Sequence, residues 1–200
     1  MNREELTELQ YIVSIHNVRS VLQQGILSHR RAEPVEHTSL AKPAAQDRRA
    51  RVRVPGGRAL HEYANLYICA RNPTLFLMIL NAGGHRAVAV LRVSTGVLDL
   101  PGVVITDQNA ASDYRLFLPS PQGLAKVDRE AVFAEHWTHP ENRAAEWRHK
   151  SMKCAEVLVP DAVHPRFITG IYVSCNETRG WLLSIIDNVP IIVDGQLFFV

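Results

Sequence analysis

The three cysteines, Cys69, Cys154 and Cys175, are odd in number and far apart, so neither a disulfide framework nor a zinc knuckle is expected. No apolar run approaches the roughly 18 residues needed to span a bilayer. The longest clear one is Thr74 to Leu80, and the amino terminus, Met1-Asn2-Arg3-Glu4-Glu5, lacks the apolar stretch of a secretory signal. The expected location is therefore the cytoplasm, with no membrane partner. A large excess of one charge is missing too: 22 Lys/Arg against 20 Asp/Glu leave +2, too little to announce a nucleic-acid partner. There is no phosphate loop ending in Gly-Lys-Ser/Thr, no Gly-x-Gly-x-x-Gly and no Gly-x-Ser-x-Gly, which removes most support for ordinary ATPase, Rossmann and serine-hydrolase chemistry. His136 and His139 lack a clear third ligand, so no metal is expected. Repeats and low-complexity tracts are also lacking.

What is present is an ordinary soluble composition, 46% apolar and 21% charged over 200 residues, which suits one compact domain spanning residues 1–200. Charge is uneven along it. From His29 to Arg58 eight Lys/Arg face three acids, a surplus able to neutralise the phosphates of a dinucleotide or a DNA strand. Tyr11 to Ile15 reads as a strand, and Asn17 as the N-cap of a helix whose Val18, Val21 and Leu22 fall at i, i+3, i+4 and which Gly25 ends. The segment from there to about Pro55 has no sustained period and reads as a long irregular loop. Asn65 to Cys69 is a strand, and Asn72-Pro73 starts a helix through Leu80 that Gly83-Gly84 closes. Ala87 to Val93 and Val103 to Thr106 are strands; Asp128 to Trp137 and Glu141 to Lys150 are helical. Cys154 to Val159, Phe167 to Ser174, Val189 to Val193 and Gln196 to Val200 are strands, with a helix over Trp181 to Asp187. Clustered strands without regular βαβ alternation predict an α+β fold.

Within Cys154-Ala155-Glu156-Val157-Leu158-Val159, period 2 puts Glu156 on the face of Cys154 and Leu158. A carboxylate on an apolar strand face has two readings. One is a salt bridge or sheet edge; the other is a group held in a cleft against a ligand hydroxyl or a developing positive charge.

Six ordered islands add to this: Asn17-Val18-x-Ser20-Val21-Leu22-x-x-Gly25-Ile26-Leu27-Ser28; Gln46-Asp47-Arg48-Arg49; Pro55-Gly56-Gly57 with Leu60-His61-Glu62-Tyr63; Leu66 to Pro73; Thr106 to Ala110; and Cys154 to Val159. Together they resemble the DarT family, bacterial toxins that ADP-ribosylate DNA and have an ADP-ribosyltransferase fold. The resemblance implies an α+β fold with a split β-sheet core and peripheral helices, and an enzyme that transfers ADP-ribose from NAD⁺ to a base of single-stranded DNA. It implies Glu156 as the catalytic glutamate and Arg48 as the active-site arginine that also grips the pyrophosphate of NAD⁺. The family's arginine is further assigned removal of the acceptor's proton, although a guanidinium is protonated far above neutrality and suits electrostatic positioning better. NAD⁺ contacts map onto Tyr11, Ile12, Val13, Ser20 and Ser28. Tyr11-Ile12-Val13-Ser14 stands where many members carry aromatic-His-x-Thr-His. Tyr67 is either a core aromatic or a contact near the nicotinamide. The basic loop and the segment from Trp137 to Lys153, with Arg143, Arg148, His149, Lys150 and Lys153, are candidates to hold the DNA backbone. The acceptor base is thymine in one branch of the family and guanine in another. The implied partner is an antitoxin, an ADP-ribosyl hydrolase. The alternatives are a catalytically silent nucleic-acid-binding module and a transferase acting on RNA or protein.

Overall fold

The computed structural model describes all residues, 1–200. Its first half contains β1 (Leu9–Ser14), α1 (Val18–Gln24), β2 (Ile26–Leu27), α2 (His29–Ala32), α3 (Pro43–Ala50), β3 (Tyr63–Tyr67), α4 (Pro73–Asn81) and β4 (Val88–Val93). The second half contains β5 (Val104–Thr106), β6 (Phe117–Pro119), α5 (Arg129–Phe133), α6 (Arg143–Met152), β7 (Glu156–Pro160), β8 (Ala162–Val163), β9 (Ile168–Val173), α7 (Asn176–Leu183) and β10 (Ile191–Val193). This is the expected α+β architecture, with helices around a large sheet.

Eight strands form that sheet in the order β10-β9-β4-β1-β3-β7-β5-β6. β1 pairs with β4 along its whole length and β3 with β7 along its own, yet β1 and β3 meet at one position, Gln10 opposite Tyr67. The sheet is thus two halves hinged at a single contact and parted beyond it. The Gln10 side chain braces the hinge, accepting a 2.6 Å hydrogen bond from the Ala70 N–H and donating one of 2.9 Å to Glu8. A two-stranded ribbon of β2 and β8 lies apart from the main sheet. Its approach needs glycine at Gly25, where φ is +89° and a Cβ would stand 2.2 Å from the Val163 carbonyl oxygen.

Alternation along the strands sorts the two faces. Ala64, Leu66, Val157, Val159, Ala89 and Leu91 enter the largest core cluster, whereas Ile12, Tyr67, Val88, Val90 and Cys154 belong to a second, smaller one. Glu156 and Leu158 share the sparser face, as period 2 requires. Asn72 caps α4 as its sequence suggests, its side-chain oxygen accepting from the Thr74 and Leu75 N–H groups.

Four local expectations are corrected. Asn17 makes no capping bond; its carboxamide exchanges two hydrogen bonds with the backbone of Thr38, at 2.9 and 3.0 Å. The stretch read as an irregular loop contains α2 and α3, the latter started by Pro43. The last helix, α7, begins at Asn176 and not Trp181, burying Thr178 and Leu182 at i, i+4. The terminal Gln196-Leu197-Phe198 is a 3-10 turn and not a strand, because the Asp194 carboxylate accepts from the Leu197 N–H and both apolar side chains are buried. No helix is long and apolar enough to cross a membrane.

Candidate active site

Glu156 opens β7 and is 0% exposed. A buried carboxylate is tolerable only when its oxygens are satisfied. One oxygen accepts from Arg49 Nη1 at 3.0 Å and from the Ala110 N–H at 2.9 Å, and the other from Arg49 Nη2 at 2.9 Å. The backbone of Glu156 is fixed as well, its N–H donating to the Thr106 hydroxyl at 3.2 Å. This fork-to-fork pairing is the strongest form of carboxylate recognition and only an arginine can supply it. Burial works against the Arg49 charge, but the adjoining carboxylate outweighs it and raises the guanidinium above its ordinary value. Such a group does not give up a proton near neutrality.

The arginine paired with the carboxylate is therefore Arg49, while Arg48, the residue that the resemblance makes the active-site arginine gripping the pyrophosphate, stands beside it. Arg48 is exposed on the wall of the same cleft and makes no bond to Glu156. Helical geometry is the reason. Across α3, residues 45, 46 and 49 fall on the inward side and are half-buried, while 47, 48 and 50 face solvent. Reading that segment as a loop removed the one signal that separates two adjacent arginines.

The cleft itself has a volume of about 1840 Å³ and is walled by α3, α4, α6 and residues 107–116. Nine Lys/Arg and three Asp line it. Arg49, with its side chain 14% exposed, lies between Glu156 and this space. Tyr67 also lines the wall, directly opposite Glu156 in the ladder, and burial raises its phenol far above its usual range. The residues expected to touch NAD⁺ sit on neighbouring elements and not on this wall. Tyr11, Ile12 and Val13 occupy β1, the first half-buried and the other two buried. Ser20, on α1, accepts a bond from Gln24, and Ser28 caps α2 by accepting from the Arg31 N–H.

The family model described as "ssDNA thymidine ADP-ribosyltransferase, DarT" matches residues 10–199. The chain belongs to the DarT family. It is 34% identical over 201 residues to a DNA ADP-ribosyl transferase–DNA ADP-ribosyl glycohydrolase fusion protein of Thermosipho africanus (strain H17ap60334), covering 96% of this chain and 49% of that one. It thus spans about half the length of that DarT relative. A DNA ADP-ribosyl transferase of Thermus sp. (strain 2.9) is 30% identical, with 93% of this chain and 90% of the other covered. The solved structure of the Thermus sp. 2.9 DarT with ADP-ribosylated ssDNA superposes with a TM-score of 0.85 at 26% identity, covering 97% of each chain. The same protein with carba-NAD⁺ gives 0.80 at 25% identity, covering 97% of this chain and 98% of the other.

Two histidines of this DarT chain that the sequence did not single out as site residues stand near Arg49. The rings of His29 and His61 are 4.1 Å apart, and the buried Nε2 of His61 has no hydrogen-bond partner. Burial holds both below the ordinary histidine value of 6.5; neighbouring positive charge adds to this at His61, while at His29 the Glu33 carboxylate partly opposes it. A base whose folded value is depressed binds protons more readily when unfolded. Its contribution to stability is complete above 6.5 and is lost as pH falls towards the lower folded value. Urea midpoints should accordingly decline below pH 6.5, and His61→Asn should flatten that decline; an equally steep acid limb in the variant would remove the assignment.

Lys153 was expected to face DNA, but it is 1% exposed. Its ammonium donates to the Val132 carbonyl at 2.9 Å and lies 5.7 Å from the Trp137 ring centroid. Burial lowers its pKa, so the charged form costs free energy in the folded state. His149 likewise bonds to His139 and to the Ala131 carbonyl. Lys153→Met, of similar shape and without the charge, should raise the urea midpoint at pH 7 by an amount worth roughly 1 kcal/mol. A fall of that size would mean that the ammonium stabilises α5 more than its burial costs.

Proposed function

We propose that this chain cleaves NAD⁺ and transfers ADP-ribose to a thymine base of single-stranded DNA, as one domain over residues 1–200. The observation that carries the reading is Glu156 held directly beneath Arg49, which lines a basic cleft. The Thermosipho and Thermus relatives are named as DNA ADP-ribosyl transferases, and the family description gives thymidine as the acceptor.

Cleaving the bond between nicotinamide and ribose builds positive charge on the sugar. A carboxylate bonded to a ribose hydroxyl stabilises that charge more than it stabilises intact NAD⁺, which is the condition for acceleration. Glu156 is the group assigned this task. Arg49 orients the carboxylate through its two hydrogen bonds, and its guanidinium adds an anchor for phosphate. The bond from C1′ to nicotinamide breaks, a bond from C1′ to the base nitrogen forms, and the base loses a proton. NAD⁺ is the co-substrate, bound along β1 with Tyr11, Ile12, Val13, Ser20 and Ser28 as its proposed contacts; Arg48 contributes charge from the cleft wall. Basic side chains there suit a single-stranded phosphate backbone, which needs no duplex opening. The glycohydrolase half of the Thermosipho fusion supports a hydrolase-type antitoxin as partner, and the cytoplasm, where both DNA and NAD⁺ are found, is the proposed location.

The test is incubation with labelled NAD⁺ and oligonucleotides of defined composition. Label on thymine-containing single strands, and none on strands built of the other three bases, is the expected result. Label confined to guanine-containing strands would move the acceptor, and label on RNA or protein alone would refute DNA as substrate.

A further inference from the structure

Two large aromatic side chains on the cleft wall have no packing role. Trp147, on α6, is 71% exposed, and Tyr114, on the segment 107–116, is 86% exposed. Burying either against protein would be favourable, and two large rings left in water beside one cleft mark a surface that something else covers. α6 has no buried residue. Arg143, Trp147 and Ser151 follow at four-residue intervals with Arg148 beside them, and all line the cleft. The indole therefore lies in a basic stripe turned towards the cleft.

Tyr114 is displayed by a braced loop. Asp107 accepts from the Leu116 N–H at 2.8 Å, Asn109 from the Ala111 N–H at 2.9 Å, and Gln108 from the Ser112 hydroxyl at 3.2 Å. The same loop touches the reaction centre and α6, because the Ala110 N–H donates to Glu156 at 2.9 Å and the Asn109 N–H to the Ser151 carbonyl at 2.9 Å. Both aromatics are thus held in fixed relation to one carboxylate.

We propose that Trp147 and Tyr114 are stacking platforms for bases flanking the acceptor in the single strand, with Arg143 and Arg148 neutralising its phosphates. The inference rests on the reading of the cleft as a DNA transferase site. Charge complementarity selects a polyanion, and exposed rings select one with unpaired bases, since every base has a face to stack and a duplex hides it. The platforms add affinity without choosing the target base. They also hold the strand across the part of the cleft where Arg49 covers Glu156.

The test titrates fluorescent oligo(dT) into wild type, Trp147→Leu, Tyr114→Leu and the corresponding phenylalanine variants, and measures KM for oligonucleotide and NAD⁺ in parallel. Each leucine variant should bind about tenfold more weakly and show a matching rise in KM for DNA, with KM for NAD⁺ unchanged and phenylalanine restoring most of the affinity. The salt dependence should be unaltered in these variants, whereas Arg148→Ala should reduce its slope by about one. Wild-type affinity and KM in both leucine variants, with transfer intact, would overturn the platforms and leave the transferase reading standing. A wild type that modifies no DNA, yet loses oligo(dT) affinity through the leucine variants, would refute the reaction and keep the platforms. Oligo(U) binding tighter than oligo(dT) through the same two residues would replace DNA by RNA as the occupant.

Discussion

Glu156→Gln is expected to reduce kcat by about 10²- to 10³-fold or more, the scale for removing one electrostatic partner of a transition state. The substitution keeps the shape and one acceptor oxygen, so the bond from the Ala110 N–H can persist. It removes the charge that a cationic sugar requires and turns an amide NH₂ towards an arginine donor. Stability should fall as well, by about 3 kcal/mol, because a buried guanidinium loses its counter-ion; the opening of Arg49 to the cleft keeps the cost at the low end of the known range. Single-turnover transfer of labelled ADP-ribose measures the first effect and urea unfolding the second. Transfer within tenfold of wild type would end the assignment of Glu156. Alanine is the poorer probe, since it adds a cavity to the lost charge.

The second large effect is a contrast between neighbours. Arg49→Ala should cost about 10²-fold or more in kcat, comparable with loss of a positioned transition-state partner, and should destabilise the fold by leaving Glu156 unpaired. Arg48→Ala should change kcat by less than about threefold and act mainly on KM, as expected of an exposed contribution to a basic wall. Steady-state kinetics on the two variants separates the roles. If Arg48→Ala proved the more damaging, the ion pair would be structural and the catalytic arginine would be its neighbour.

Much of the fold was legible because its signals are local. Apolar runs, several of them rich in β-branched residues, located β1, β3, β4 and β7 within a residue or two, and the Asn72-Pro73 pair marked the start of α4. Glu156 was conspicuous as a charge on an apolar strand. Which of Arg48 and Arg49 pairs with Glu156 was not, since it turns on the helical phase of α3, whose hydrophobic pattern is faint. The amide of Ala110 carries no side-chain signature at all, and the burial of Lys153 depends on where Trp137 and Val132 come to rest. Long charged residues next to a helix end ordinarily read as solvent-facing. Non-local packing decided those positions.

The single contact between β1 and β3 has a consequence for how a ligand is read. Beyond Gln10, the flank of β1 turned away from β4 has no neighbouring strand. With NAD⁺ bound along β1 as proposed, a planar amide entering that gap would meet peptide groups already aligned for pairing and would take the position of a missing rung. Recognition of this kind would depend on main-chain geometry, so the buried side chains of Ile12, Val13 and Ser14 would answer to core packing and not to the amide.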